Sequence, residues 1–181
     1  MKNYKIKFKK LNYEIYKFRN EIVTDPPALL VTLFFQLPKS NCEWMAVADQ
    51  FLIKWNFPHS LGNIDGKHVQ TITPESSDRI YFNYKGTFSI VLLGVANATY
   101  NFIYADVGCQ GRISDGGVFK YTSLYEKIEQ GKLNLPAHET LPRRTIPVPF
   151  VFVADDAFAL ATHIMKPYPG HNPGASSPER I

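Results

Sequence analysis

Cysteine is scarce in this chain: Cys42 and Cys109 stand alone, without metal-type spacing. That excludes a disulfide-stapled secreted scaffold and a thiolate zinc site, and it fits a reduced, intracellular protein. The five histidines, His59, His68, His138, His163 and His171, show no zinc spacing either. Long apolar runs are also missing. The longest uncharged apolar run, Ala28 to Phe35, is far too short to span a bilayer, and the first residues lack the apolar centre of a signal peptide. A soluble chain with no membrane partner is therefore expected. No serine sits in a nucleophile elbow, and no glycine-rich phosphate loop follows a strand.

The chain does have a globular composition, 45% hydrophobic and 14% aromatic over 181 residues. That is enough for one domain with a real core and too little for two. The net charge of +4 leans toward an acidic partner such as nucleic acid. Most of the excess lies near the start, where Lys2, Lys5, Lys7, Lys9, Lys10, Lys17 and Arg19 face a single acid, Glu14. This segment reads either as an arm for phosphate contact or nuclear import, or as a solvated terminus. The alternation of Lys5, Lys7 and Lys9 with Ile6 and Phe8 also resembles a strand. Pro26-Pro27 and Pro38 punctuate the next section, so residues 1–41 are taken as a basic segment and linker ahead of a domain over 42–181.

Within that domain, Trp44, Val47, Ala48, Phe51, Leu52 and Trp55 recur at helical spacing behind a Ser40 or Asn41 cap. A turn at Pro58 leads into a strand that carries Asp65 to a glycine turn at Gly66. Thr71 to Asp78 reads as a loop. The runs Phe88–Ala96 and Tyr100–Val107, joined through Asn97-Ala98-Thr99, read as an antiparallel hairpin beside the Asp65 strand, with Asp106 an edge carboxylate. Val118, Phe119, Leu124 and Ile128 suggest one helix broken at Gly131, and Pro136 to Pro149 a loop. A buried strand over Phe150–Ala154 is followed by a helix starting at Phe158 and running to Met165. The order is that of an α/β mixed sheet, with no internal repeat.

Three carboxylates stand at strand or loop ends: Asp65 before Gly66, Asp115 before Gly116-Gly117, and Asp155 after Val151-Phe152-Val153-Ala154. If they converge, their oxygens suit a hard divalent cation, Mg²⁺ or Mn²⁺. Two such ions about 4 Å apart can activate a water or a 3′-hydroxyl and stabilise the leaving oxygen in phosphodiester cleavage. Asp65 would be the central ligand, and Arg112 is placed to contact a phosphate. Asp156 competes with Asp155, but backbone alternation sends the two to opposite sides.

Several ordered motifs resemble the Harbinger-type, transposase-derived nucleases, whose catalytic domain has a ribonuclease H-like fold. They are Trp55-Asn56-Phe57-Pro58, Gly62 through Val69, Phe82-Asn83-Tyr84-Lys85-Gly86, Asp106-Val107-Gly108, Gly111 through Phe119, Val153 through Phe158, and Met165-Lys166-Pro167-Tyr168. The resemblance covers roughly residues 42–181. It implies that Asp65, Asp115 and Asp155 are divalent-metal ligands, with Asp155 aligned because an aromatic, Phe158, follows three positions on. It further implies a DNA substrate, a nuclear location and a separate DNA-binding protein as a partner. The family pattern continues beyond Ile181 into a helix with a last catalytic glutamate, for which Glu179 is no convincing replacement. Weak or absent cleavage by this chain alone is expected on that basis. A non-catalytic DNA- or protein-binding module is the alternative.

Overall fold

The computed structural model describes residues 37–71 and 79–167. The basic segment over 1–19, most of the loop expected at 71–78 and the last motif's Tyr168 lie outside them.

The first element, α1 (Asn41–Trp55), forms as its sequence requires. The Ser40 hydroxyl accepts from the Glu43 N–H at 3.3 Å, filling one of the donors a helix start leaves open. Asn56 closes the helix in the left-handed region and donates to the Leu52 carbonyl at 2.9 Å. Trp44, Ala48 and Phe51 are buried, whereas Leu52 and Trp55 are largely exposed, so the inward stripe is narrower than the sequence pattern. Trp44 packs edge-on against Phe152, and its indole donates to the Leu133 carbonyl at 2.8 Å. That bond satisfies the one polar atom the core ring carries.

The strands β1 (Ser60–Gln70), β2 (Ser89–Ala96) and β3 (Phe102–Gln110) come next and form an antiparallel meander. After β3 the chain makes α2 (Asp115–Lys120), α3 (Ser123–Glu129) and a small hairpin of β4 (Glu139–Thr140) and β5 (Pro147–Val148). It then returns to the sheet as β6 (Val151–Val153) and β7 (Ile164–Met165), which run parallel to β1. The five-stranded sheet has the order β3-β2-β1-β6-β7. Helices flank this mixed sheet, and the arrangement is ribonuclease H-like. Val91, Leu93, Val95, Ile64 and Phe152 from the sheet meet Trp44, Val118, Phe119, Leu124 and Phe158 in one core.

Four local expectations fail, each for a physical reason. β1 does not turn at Gly66. It pairs with β2 in unbroken register from Asn63 to Gln70, so the glycine is a strand residue. The single helix expected from Val118 is two, because the buried Thr122 hydroxyl donates to the Phe119 carbonyl at 2.7 Å and caps α3 by accepting from Tyr125 N–H. One threonine ends a helix and starts the next. The 136–149 loop contains the β4–β5 hairpin. The helix expected from Phe158 to Met165 is absent: a bend, irregular backbone and a short turn at 162–163 lead into Ile164–Met165, which is strand β7. Backbone bonds from Phe152 N–H to His163 O (2.8 Å) and Ala154 N–H to Met165 O (2.9 Å) hold it on the sheet. Among the described residues no helix is long and apolar enough to cross a membrane.

Candidate active site

Three packing relations decide where the carboxylates lie. The first is the parallel β1–β6 ladder. Asn63 pairs with Val153, the last residue of β6; Asp65 stands two residues further along β1 and Asp155 two residues past the end of β6, near enough for their charges to interact. β6 ends there while β1 continues to Gln70, so among the described residues β1 has no strand partner on that side beyond Asn63. Ligand crevices in such sheets open where neighbouring strands part, outside their carboxyl ends.

The second is the approach of Asp115 to β1. A side-chain carbon at position 66 would collide with the Asp115 carboxylate, so glycine is required there for close approach, not for a turn. Asp115 opens α2, which Ser114 caps by accepting from Gly117 N–H at 3.3 Å. A carboxylate in a first helical turn is favoured by the helix dipole. The third relation joins α2 to the loop after β6. Gly116 lies directly against the Ala157 carbonyl, where a Cβ would not fit, and Phe119 meets Phe158 edge-on at 5.7 Å between ring centres.

The carboxylates therefore feel one another. Asp65 is half-buried, and its pKa is raised from 3.8 to about 6. Burial is the main cause; the Gly66 N–H it accepts at 2.8 Å opposes the shift, and the charges of Asp155 and Asp115 add to it. Asp115 is also raised, first by burial; His68 opposes this, Asp155 adds to it, and Lys85 opposes it. Asp155 is exposed, and its Oδ1 accepts from the Ala157 N–H at 2.9 Å. The neighbouring Asp156 is exposed and turns to Lys166 at 3.8 Å. Asp106 sits on the edge strand β3, half-buried, with its Oδ2 accepting from the Tyr104 hydroxyl at 3.4 Å.

The donor set is all oxygen, and one atom has no hydrogen-bond partner. Asp115 Oδ1 is buried and unpaired, the state of an oxygen that an added cation would satisfy. The chemistry thus fits a hard divalent ion. Nevertheless, among the described residues no three His, Cys, Asp or Glu side chains come close enough to form a metal cage. Each carboxylate has one oxygen turned to its own surroundings: Asp65 to Gly66, Asp155 to Ala157, Asp115 against the glycine gap. Mg²⁺ commonly needs only one or two carboxylates, with waters and phosphate oxygens completing its shell.

Sequence reasoning passes over His68, naming it only among the histidines without zinc spacing. Because β1 runs straight, positions 66 and 68 share a face, and His68 stands on the Asp115 side. Its Nδ1 lies 2.9 Å from the Ser89 hydroxyl. Strand alternation is the signal that finds it once Gly66 is not taken as a bend.

Comparison with known proteins identifies the family. The family model described as DDE superfamily endonuclease matches residues 64–180. "Protein ALP1-like" from Arabidopsis thaliana is 27% identical over 140 residues, covering 72% of this chain and 33% of that protein. The human and bovine proteins called "Putative nuclease HARBI1" are each 26% identical over 109 residues, 60% of this chain and 31% of theirs. The chain thus spans about a third of the length of the curated relatives it matches. No solved structure matches it. With the family model covering well over half of its residues, the chain belongs to the DDE superfamily endonucleases.

Proposed function

We propose that this chain is the nuclease domain of a transposase-derived protein, acting on DNA phosphodiesters with Mg²⁺ or Mn²⁺ held by Asp65, Asp115 and Asp155. One observation carries the reading: three carboxylates from β1, the start of α2 and the loop after β6 are packed within reach of each other's charge, and Asp65 is pushed up to about 6. Like charges are not gathered this way without a compensating cation except at a cost in stability.

When bound, such an ion supplies Lewis-acid polarisation of the phosphodiester and neutralises charge at the leaving oxygen. The chain's own groups do the rest. Asp65 must lose its proton before it can ligate, so ion binding strengthens as pH rises through about 6. Lys85 and His68 both act on Asp115, and the Lys85 ammonium favours a nearby phosphate. Arg112 is exposed just ahead of α2 and is a further phosphate contact. We expect cleavage by this chain alone to be weak or absent. A nuclear location and a separate DNA-binding protein accord with a DNA substrate.

A test is the ion dependence of DNA binding. Binding of a short DNA duplex should tighten several-fold on adding Mn²⁺, and this gain should vanish in Asp65→Ala. Ion-independent binding indifferent to Asp65 and Asp155 would instead establish the non-catalytic module.

A further inference from the structure

The turn between the short helical segment Arg79–Tyr81 and β2 presents an aromatic ring that no core uses. Tyr84 is 80% exposed. A tyrosine left in water on a loose loop would need no explanation, but this one stands on a heavily braced turn. Phe82 and Phe88 bridge across it, and Asn83 N–H donates to the Thr87 carbonyl at 2.9 Å. The Asn83 side chain is 4% exposed and saturated. Its oxygen accepts from Lys85 N–H (2.9 Å), Thr87 N–H (3.2 Å) and the Thr87 hydroxyl, and its amide donates to Thr87 and, at 2.8 Å, to Ser89 Oγ.

That network ends at His68, which acts on Asp115 through charge and not through a hydrogen bond. Ser89 Oγ is 2.9 Å from His68 Nδ1, and the His68 ring meets Tyr84 edge-on at 5.6 Å between centres. His68 is the largest charge acting on Asp115. The exposed ring is therefore one residue away from the site. Lys85 Nζ stands over the ring, 5.3 Å from its centroid, and the Arg112 N–H donates to Ile80 O at 3.3 Å, in the helical segment just ahead of the turn. A rigid aromatic face with cations beside it is the chemistry that holds an unstacked nucleotide, the ring taking the base and the cations the backbone. A paired base inside a duplex offers no free face, so the ring selects nucleotides out of the stack.

Resting on the nuclease reading of the neighbouring carboxylates, we propose that Tyr84 is a stacking platform for an unpaired base next to the scissile phosphate, with Lys85 as its backbone contact. The substrate class is thereby narrowed to DNA that is single-stranded or unpaired at the cleavage point.

The test is fluorescence anisotropy with the full chain, using a labelled single-stranded oligonucleotide and the duplex of the same sequence. Tyr84→Ala should weaken single-strand binding by about tenfold and leave duplex binding within about twofold, the loss expected for one base–aromatic stack. Tyr84→Trp should retain single-strand binding, with indole fluorescence quenched on saturation. Equal loss for both DNAs, no loss for either, or no single-strand binding by the unaltered chain would overturn the proposal. Run beside a Mn²⁺ titration, the two ideas separate: Tyr84-dependent binding with no ion binding removes the metal site and keeps the platform, and the reverse removes the platform alone.

Discussion

Asp65 holds a proton that its unfolded counterpart releases. Its carboxyl sits at about 6 in the fold against 3.8 in the open chain. Between those values the native state binds more protons than the unfolded state, so stability is full below about 4 and declines as pH rises through about 6. Asp115 and Asp106 are raised in the same direction and add to the slope. The melting temperature of the ion-free chain should therefore fall between pH 4 and pH 7, and Asp65→Asn should flatten that fall; thermal melts across this range check it. Gly66 makes a second residue-scale claim. Gly66→Ala forces a methyl into the Asp115 carboxylate and should cost about 1–3 kcal/mol of stability, the usual cost of overpacking. Denaturant melts should show most of that cost gone in the Asp115→Gly background, because the two residues share one contact. An additive double mutant would mean that Asp115 does not rest on the strand.

The elements differ in how far local sequence determines them. α1 was legible because a serine cap, a repeating apolar stripe and a terminal asparagine agree with one another. The β2–β3 hairpin was legible from two β-branched and aromatic runs around an asparagine turn. The stretch from Phe158 to Met165 was not, because Ala159, Leu160 and Ala161 favour a helix while two ladder bonds from β6 favour a strand, and no local signal reports the ladder. The break between α2 and α3 was hidden in a side-chain hydrogen bond. Thr122→Ala removes both the buried bond to Phe119 and the cap on Tyr125, and should destabilise by about 1–2 kcal/mol; Thr122→Ser should recover much of this in denaturant melts. In the candidate site, Asp115 and Asp155 could be picked out because carboxylates at element ends are visible in one dimension, whereas Asp65 was singled out on a turn at Gly66 that β1 does not make. His68 and Tyr84 could not be picked out. Their placement depends on β1 running straight and on the buried Asn83 that braces the turn, and both are tertiary facts.

At the scale of the whole molecule, the sheet order explains why the acids lie within reach of one another's charge. β1 lies centrally, β6 joins it in parallel and stops short, and the helical stretch between β3 and β6 returns α2 to the gap. Residues far apart in sequence are thereby placed around one open strand edge, the arrangement on which the metal-dependent reading depends. Calorimetric titration of the ion-free chain with Mn²⁺, beside Asp65→Ala and Asp155→Ala, tests this most directly. Saturable binding by the unaltered chain, strengthening as pH rises through about 6 and lost in both variants, is the expected result. No binding, or binding unchanged in the variants, would contradict it.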